Sequence, residues 1–576
     1  MNIYNILKQD IDKIVHKLYQ IEDTSNIVVE SPKDPLNGDL STNAAMVLAT
    51  KLQQTPREIA MALKEALVSK TYIAHIEIAG PGFINFTIQS SVWQQNLITI
   101  LKEEYKYGFS NVGNGKKVNV EYVSANPTGP MHIGHGRGAV YGDVLANLLQ
   151  ATGYNVTKEY YINDAGSQID ALLRTALIRY KEFALKQTFD IPEGLYPGQY
   201  MVPVGEKLFS NYKDTLLSMP EIEALKLIRK FVLDEMMDII RADLRNMGIE
   251  HEVFFSEQSL HDNKSIDKVV EKLQAQNLVY KGTLPPPKGK EQEGWVPKEQ
   301  LLFRSTEFGD DQDRAIQKGD GSWSYLAPDI AYAEDKINRG YEQIIIVLGA
   351  DHAGYVKRME AIIKSLSNNK VSSEIKLCQL VNYIENGDLV KMSKRAGTFT
   401  TVRDVVNEVG KDIIRFIMLT RKNDIGLDFD LAKVKEQSKD NPVFYVNYAY
   451  VRALSIVKNA FETAPEASKI FTDKSFDPAL LASEEEIQLI KLLASWPRTL
   501  EGAAVHFEPH RIAFYLQSLA ASFHALWNLG KENNDYRFVI EKNPGLTAAR
   551  IALATAVKNV IHAGLDVIGV MPVDKM

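Results

Sequence analysis

A chain that carries Ser124-Ala-Asn-Pro-Thr-Gly-Pro-Met-His-Ile-Gly-His-Gly-Arg-Gly-Ala139 directly after Val118-Asn-Val-Glu-Tyr-Val123 has few ways to fold at that point. The first run alternates apolar and polar residues like a strand. The glycines and prolines break any regular element after it, and residues 139–150 then read as a helix. Strand–loop–helix units of this kind assemble into parallel α/β sheets. His132 and His135, with Gly134 between them, fall where the helix should begin. A helix start presents unpaired N–H groups and the positive end of the helix dipole. Glycine lets a phosphate approach that backbone closely, and imidazoles beside it donate hydrogen bonds to phosphate oxygens. The segment predicts a nucleotide-phosphate site.

A second basic element lies far downstream. Residues 383–390 read as a hairpin with an Asn386-Gly387 turn, and Lys391-Met-Ser-Lys394 follows at once. A loop carrying Lys391 and Lys394 can close over a triphosphate.

At 576 residues the chain is too long for one core, and three or four domains are expected. With 45% hydrophobic and 24% charged residues its composition is that of a globular protein. No apolar run approaches the roughly 18 residues of a membrane span, and no basic-then-apolar leader opens the chain. A cytoplasmic protein without membrane contact is expected. Cys378 is the sole cysteine, which excludes a disulfide framework and a cysteine zinc site, and no protein-held metal is expected. A net charge of −7 does not exclude RNA, which needs only a local basic surface.

Four segments are expected. Residues 1–110 read as a small α/β domain, with helices at 2–19, from Ser41 and from Pro56, and strands at 75–79 and 83–88. Residues 111–375 form a Rossmann-like nucleotide-binding domain split by an insertion. Within it 283–293 is a surface loop, and Gln343–Gly349 is a strand buried on both faces. Residues 376–435 carry the hairpin and the lysine loop. Residues 436–576 are a helical bundle. Asn441 and Pro442 open its first helix, with Val443, Val446, Tyr450, Leu454, Val457 and Phe461 on one face. Ser483 and Glu486 have capping-box spacing. Pro509 opens a helix with Ile512, Leu516, Leu519 and Phe523 inward, and 547–568 supply the last. Tyr448, Tyr450, Arg452, His506, His510 and Trp527 exceed what one core needs and are expected at the surface.

The His132-Ile-Gly-His135 and Lys391-Met-Ser-Lys394 pair resembles the two signatures of class I aminoacyl-tRNA synthetases. With Asn37-Gly-Asp-Leu-Ser-Thr-Asn43, Gly80-Pro-Gly-Phe-Ile-Asn-Phe86, Phe308-Gly-Asp-Asp311, Tyr325-Leu-Ala-Pro-Asp-Ile-Ala-Tyr332 and Asn441-Pro-Val-Phe-Tyr-Val-Asn-Tyr448, the whole chain resembles the arginyl-tRNA synthetase family. The resemblance implies ATP-dependent attachment of L-arginine to tRNA(Arg) through arginyl-adenylate. It assigns His132, His135, Lys391 and Lys394 to catalysis at the phosphates. Gly134, Gly349, Asp351, His352, Met392 and Ser393 fall to ATP, and Mg²⁺ accompanies the nucleotide. Glu121, Ser124, Asn126, His132, Tyr325 and Asp329 fall to arginine, whose guanidinium needs carboxylate partners. The N-terminal domain, through Phe83 and Asn85, is placed on the tRNA elbow. The 376–435 segment is placed near the stem, and the bundle, through Tyr448 and Arg452, on the anticodon. A monomer is expected.

Two departures mark the variety: Gly129 and Pro130 stand where some relatives carry a lysine, and Ala350 stands where some carry a glutamine. Two other readings remain open, a metabolic nucleotidyltransferase and a non-catalytic RNA-binding relative. The first leaves the bundle unused, and the second would be expected to lose a motif histidine or lysine.

Overall fold

Five strands build the central sheet: Lys117–Glu121 (β1), Asn155–Ile162 (β2), Val253–Ser256 (β3), Gln343–Gly349 (β4) and Ser372–Cys378 (β5). Every pairing among them is parallel, and the spatial order is β5-β4-β1-β2-β3. The apolar run of β4 is buried because β1 and β5 flank it, as a parallel sheet requires. The chain winds outward from β1 to β3, then returns to start β4 on the other side of β1. That reversal opens a crevice at the carboxyl ends of β1 and β4, where open α/β sheets bind ligands. Glu121 and Gly349 end those two strands. The computed structural model describes residues 2–32, 34–284, 299–390, 400–438 and 440–576. The loop expected at 283–293 lies almost wholly outside the described residues, as do Lys391, Met392, Ser393 and Lys394.

Helix α1, Ile133–Ala151, follows β1 and begins six residues earlier than its apolar pattern indicates, with His132 as its N-cap. Its Gly142 lies against Tyr122; a Cβ there would sit 2.3 Å from the tyrosine Cβ. The opposite side of α1 meets the bundle. Tyr141 Oη donates to the Phe507 carbonyl at 2.6 Å and Asn147 Nδ2 to the Val567 carbonyl at 3.1 Å. Two insertions interrupt the sheet. Helices Ser167–Leu185, Val202–Tyr212 and Glu221–Asn246 separate β2 from β3 and enclose a core of their own. Between β3 and β4 lie helix Ser265–Ala275 and a small antiparallel sheet of Val279–Gly282, Gln300–Phe303 and Arg314–Ala315.

The N-terminal domain is a four-stranded antiparallel sheet backed by helices. Its second helix starts at Ala44 and not at Ser41, because Leu40–Thr42 pairs with Phe83–Ile88 as a strand. Pro56 occupies the first turn of its helix, behind a Thr55–Glu58 capping box.

The bundle comprises helices Pro442–Thr463, Pro465–Thr472, Glu484–Ala494, Trp496–Val505, His510–Glu532 and Pro544–Val567, with the Ser483–Glu486 capping box in place. Ile512, Leu516, Leu519 and Phe523 are buried. Two expectations are corrected. Phe461 is exposed, since the small Ala453 and Ala460 take the inward positions where Pro442–Thr463 packs along Pro544–Val567. Tyr450, expected at the surface although its periodicity places it with Val443 and Val446, is buried, its ring 6.3 Å from that of His562 on the last helix. The bundle is not a separable appendage. Trp496 Nε1 donates to the Tyr107 carbonyl, and buried residues of all three domains belong to one apolar cluster. Among the described residues, no helix is long and apolar enough to cross a membrane.

Candidate active site and nucleic-acid face

Immediately after β1 the backbone turns through two consecutive left-handed residues, Val123 (φ 73°) and Ser124 (φ 40°). A β-branched residue rarely adopts that conformation, and such strain gathers at functional sites. The turn folds Ser124 back over the strand end. Its Oγ donates to Glu121 Oε1 at 3.1 Å and accepts from the Tyr161 amide at 3.1 Å. Asn126 Nδ2 donates to Gln168 Oε1 at 3.0 Å. Glu121 is itself buried, in the centre of the sheet.

His132 and His135 stack with ring centroids 3.7 Å apart, and the His132 amide donates to His135 Nδ1 at 3.3 Å. Gly134 is required beneath them: a Cβ there would lie 2.8 Å from His132 Nδ1. The segment that follows the lysine motif is held against the same turn. The Ile133 amide donates to the Thr400 carbonyl at 3.2 Å and the Val402 amide to the Met131 carbonyl at 2.8 Å. Thr400 is six residues beyond Lys394. Before the motif, Asn386 and Gly387 both have positive φ in the turn between Val381–Glu385 and Asp388–Leu389, as the hairpin reading requires. Across the crevice, Gly349 ends β4, and a Cβ there would fall 2.6 Å from the exposed Asp351 Oδ1. Asp351 and His352 follow on an exposed turn, His352 Nε2 lying 3.6 Å from Asp351 Oδ2.

Acidic groups converge beside β1. Helix α2, Leu326–Asn338, places Asp329 in its first turn. The Asp329 carboxyl is pushed up to about 8, first by burial and then by the charges of Glu257 and Glu121, with Lys336 opposing. Glu257, which begins the helix after β3, is also shifted upward by burial, against a hydrogen bond from Tyr161. Lys336, fully buried on α2, lies 2.5 Å from Glu121 Oε2 and 4.2 Å from the centre of the Tyr332 ring. Below them, Glu159 accepts from Tyr332 Oη and from both Nη atoms of Arg339. Tyr325 stands at the N-cap position of α2 and is 76% exposed, with Lys318 Nζ 5.6 Å from its ring centre. A pocket that holds its own carboxylate proton near neutrality is built to receive a cation.

The end of β1 thus brings Glu121, Ser124 and Asp329 together, and the loop that leaves the same strand carries Asn126 and the His132–His135 pair. Glu257, Lys336, Tyr161 and Gln168 join them and are absent from the sequence reading. Only Lys336 carried a signal, lying seven residues after Asp329 on the same helix face.

On the N-terminal domain Phe83 is 39% exposed, whereas Asn85 is buried and accepts from Ser41 Oγ at 2.8 Å. In the bundle, the Arg452 guanidinium lies 4.4 Å from the Tyr448 ring centre and 5.2 Å from that of Trp527. Its Nη1 is 2.7 Å from His524 Nδ1. Burial and the Arg452 charge push the His524 imidazole down to about 4, against a bond to the Tyr445 carbonyl. The neutral ring accepts from the arginine. A cavity of about 710 Å³ opens beside this stack.

A parallel sheet with an anion-ready helix start after β1 and an exposed carboxylate turn after β4 is the architecture of a nucleotide-binding α/β domain. Comparison with known proteins agrees. Residues 96–446 match the catalytic domain of class I tRNA synthetases (R), residues 5–88 the arginyl-tRNA synthetase N-terminal domain, and residues 446–576 the DALR anticodon-binding domain. Arginine–tRNA ligases of Rickettsia felis and Rickettsia prowazekii are each 57% identical over 577 residues, covering 100% of both chains. The Thermus thermophilus arginyl-tRNA synthetase structure shares the fold at a TM-score of 0.73 and 18% identity over 100% of both chains. The chain belongs to the arginyl-tRNA synthetase family.

Proposed function

We infer that the protein charges tRNA(Arg) with L-arginine at the expense of ATP. The supporting observation is the convergence of Glu121, Glu257 and Asp329 on one crevice beside the His132–His135 turn. This puts a cation-seeking pocket next to a phosphate-seeking helix start. The arginine carboxylate oxygen attacks the α-phosphorus of ATP; the bond to the bridging oxygen breaks, and pyrophosphate leaves. A hydroxyl of the terminal tRNA ribose, the 2′-hydroxyl in class I enzymes, then attacks the activated carbonyl and releases AMP. Little covalent work falls to the protein, so positioning and charge stabilisation carry the rate.

In this reading His132 and His135 donate to the phosphates, joined by Lys391 and Lys394, with Met392 and Ser393 beside the nucleotide. Gly134 and Gly349 give the nucleotide its approach, and Asp351 and His352 face its ribose side. Glu121 and Asp329 take the guanidinium, Tyr325 covers it, and Ser124 and Asn126 line the rest. Mg²⁺ enters with the ATP phosphates. The Tyr448–Arg452–Trp527 stack suits an unpaired anticodon base, and Phe83 suits the tRNA elbow. The protein acts as a cytoplasmic monomer with domains at about 1–110, 111–375, 376–435 and 436–576. Pyrophosphate exchange with each amino acid, with and without tRNA, tests the assignment. Exchange driven by an amino acid other than arginine, or by none, would refute it.

A further inference from the structure

The lysine within the acidic crevice is the feature the reaction does not explain. A site for a cationic substrate gains nothing directly from a second cation, yet Lys336 sits at its floor, 1% exposed. Stability does not account for it either. Buried ion pairs are often matched or bettered by apolar side chains of similar volume, and a methionine would fill the lysine's space. What distinguishes Lys336 is the set of groups it touches. Its Nζ lies 2.5 Å from Glu121 Oε2 and 4.2 Å from the Tyr332 ring centre. Tyr332 is itself fixed by its hydrogen bond to Glu159, which Arg339 grips through two nitrogens and Asn119 through Nδ2 at 2.7 Å. The ammonium is therefore anchored by an immobile framework and cannot follow the substrate.

Glu121 is thereby held from both ends. Lys336 occupies Oε2, and Ser124 Oγ, braced by the Tyr161 amide, occupies one position on Oε1. A carboxylate has about four acceptor sites, so Oε1 keeps capacity for a further donor on the crevice side. Two fixed bonds set the plane of the carboxylate before any substrate arrives, which is what a planar, forked guanidinium requires. We propose that Lys336 is a positioning residue for substrate recognition, clamping Glu121 so that one carboxylate edge is presented to the arginine guanidinium. The proposal rests on the assignment of Glu121 to the arginine site and adds the residue that sets its geometry. Lys336 itself does not touch the substrate.

The test measures arginine KM, ATP KM and kcat by tRNA-supported pyrophosphate exchange, with thermal midpoints, for Glu121→Gln, Lys336→Met, Lys336→Arg and the double variant Glu121→Gln/Lys336→Met. Glu121→Gln should raise the arginine KM; if it does not, the arginine-site reading itself fails. Lys336→Met should raise arginine KM about ten- to hundred-fold, the usual cost of losing a supporting residue, while ATP KM and kcat stay within about threefold. Lys336→Arg should recover most of the arginine KM. In the Glu121→Gln background, compared at pH 9 where the lysine's charge no longer decides whether Asp329 is ionised, Lys336→Met should add nothing, because its remaining action on arginine is through that carboxylate. A wild-type arginine KM in Lys336→Met, with Glu121→Gln impaired, overturns the proposal and leaves the site assignment standing. Parallel losses in arginine KM, ATP KM and kcat mean a packing role and overturn it equally. If Lys336→Met does not fold, the double variant, which removes both charges, decides. Its arginine KM at that pH equals that of Glu121→Gln if the proposal holds and exceeds it if Lys336 acts independently.

Discussion

Asp329 makes arginine binding a proton-linked event. Its carboxyl, ordinarily near 3.8, is pushed up to about 8 by burial and by the facing charges of Glu257 and Glu121, with Lys336 opposing. At pH 7 that leaves roughly ten protonated molecules for each ionised one. A guanidinium has only donors, so it binds the ionised carboxylate. Arginine should therefore expel about 0.9 proton at pH 7, and its apparent affinity should be about tenfold below the value at high pH. The affinity should rise about ninefold from pH 6 to 7 and about fivefold from pH 7 to 8, and then level off. Calorimetric titration with arginine in phosphate and in Tris, whose ionisation heats differ, measures the protons released. Asp329→Asn should abolish both the buffer dependence and the slope. The sign for stability follows from the same shift. A carboxyl whose folded value lies above its unfolded value favours the fold at low pH and costs stability as pH rises from about 4 to 8. Arginine restores that loss, so the thermal shift it produces should grow from pH 6 to pH 8. Equal arginine affinity at pH 6 and 8, with no proton released, would refute the argument.

Other outcomes follow from contacts elsewhere. His132→Ala and Lys394→Ala should each slow pyrophosphate exchange by roughly 2–4 kcal/mol in activation, comparable to removing one oxyanion donor; near-normal exchange rates would remove them from the phosphate site. Arg415 joins Asp143 on α1 to the Ile568 and Met247 carbonyls. Arg415→Met should cost about 3 kcal/mol in denaturant unfolding, because Asp143 keeps only Lys158 as a charged partner. Arg452→Ala should weaken tRNA binding by about 1–3 kcal/mol and reduce its salt dependence, with arginine and ATP KM unaltered when tRNA is saturating. Phe83→Ala should raise the tRNA KM, while Asn85→Ala, which frees Ser41, should lower the thermal midpoint; the reverse pattern would assign the contact to Asn85.

Local chemistry was legible in the sequence wherever a short stretch contains its own cause. The Asn386-Gly387 turn, the Ser483–Glu486 box and the Pro56 and Asn441–Pro442 helix starts all form where residue type demands them. So does the glycine-lined histidine turn, because a Cβ at 134 would crowd the His132 ring. Burial within a helix was less legible. Which side of Pro442–Thr463 faces inward depends on the neighbouring helix, so Phe461 lies outside and Tyr450 inside.

Only the tertiary structure assembled the crevice. Glu121, Glu257 and Asp329 lie on three elements far apart in the chain, and the burial and mutual field that push the Asp329 carboxyl up to about 8 exist only once the sheet order brings them together. The same holds for Lys336, an ordinary helical lysine in sequence and a clamp on Glu121 in the fold. It holds as well for the bundle, whose last helix grips the histidine-bearing helix through Asn147 and Arg415. A residue's type is a property of the chain, but electrostatic coupling and hydrogen-bond geometry depend on separations of a few ångströms, and those are created by packing.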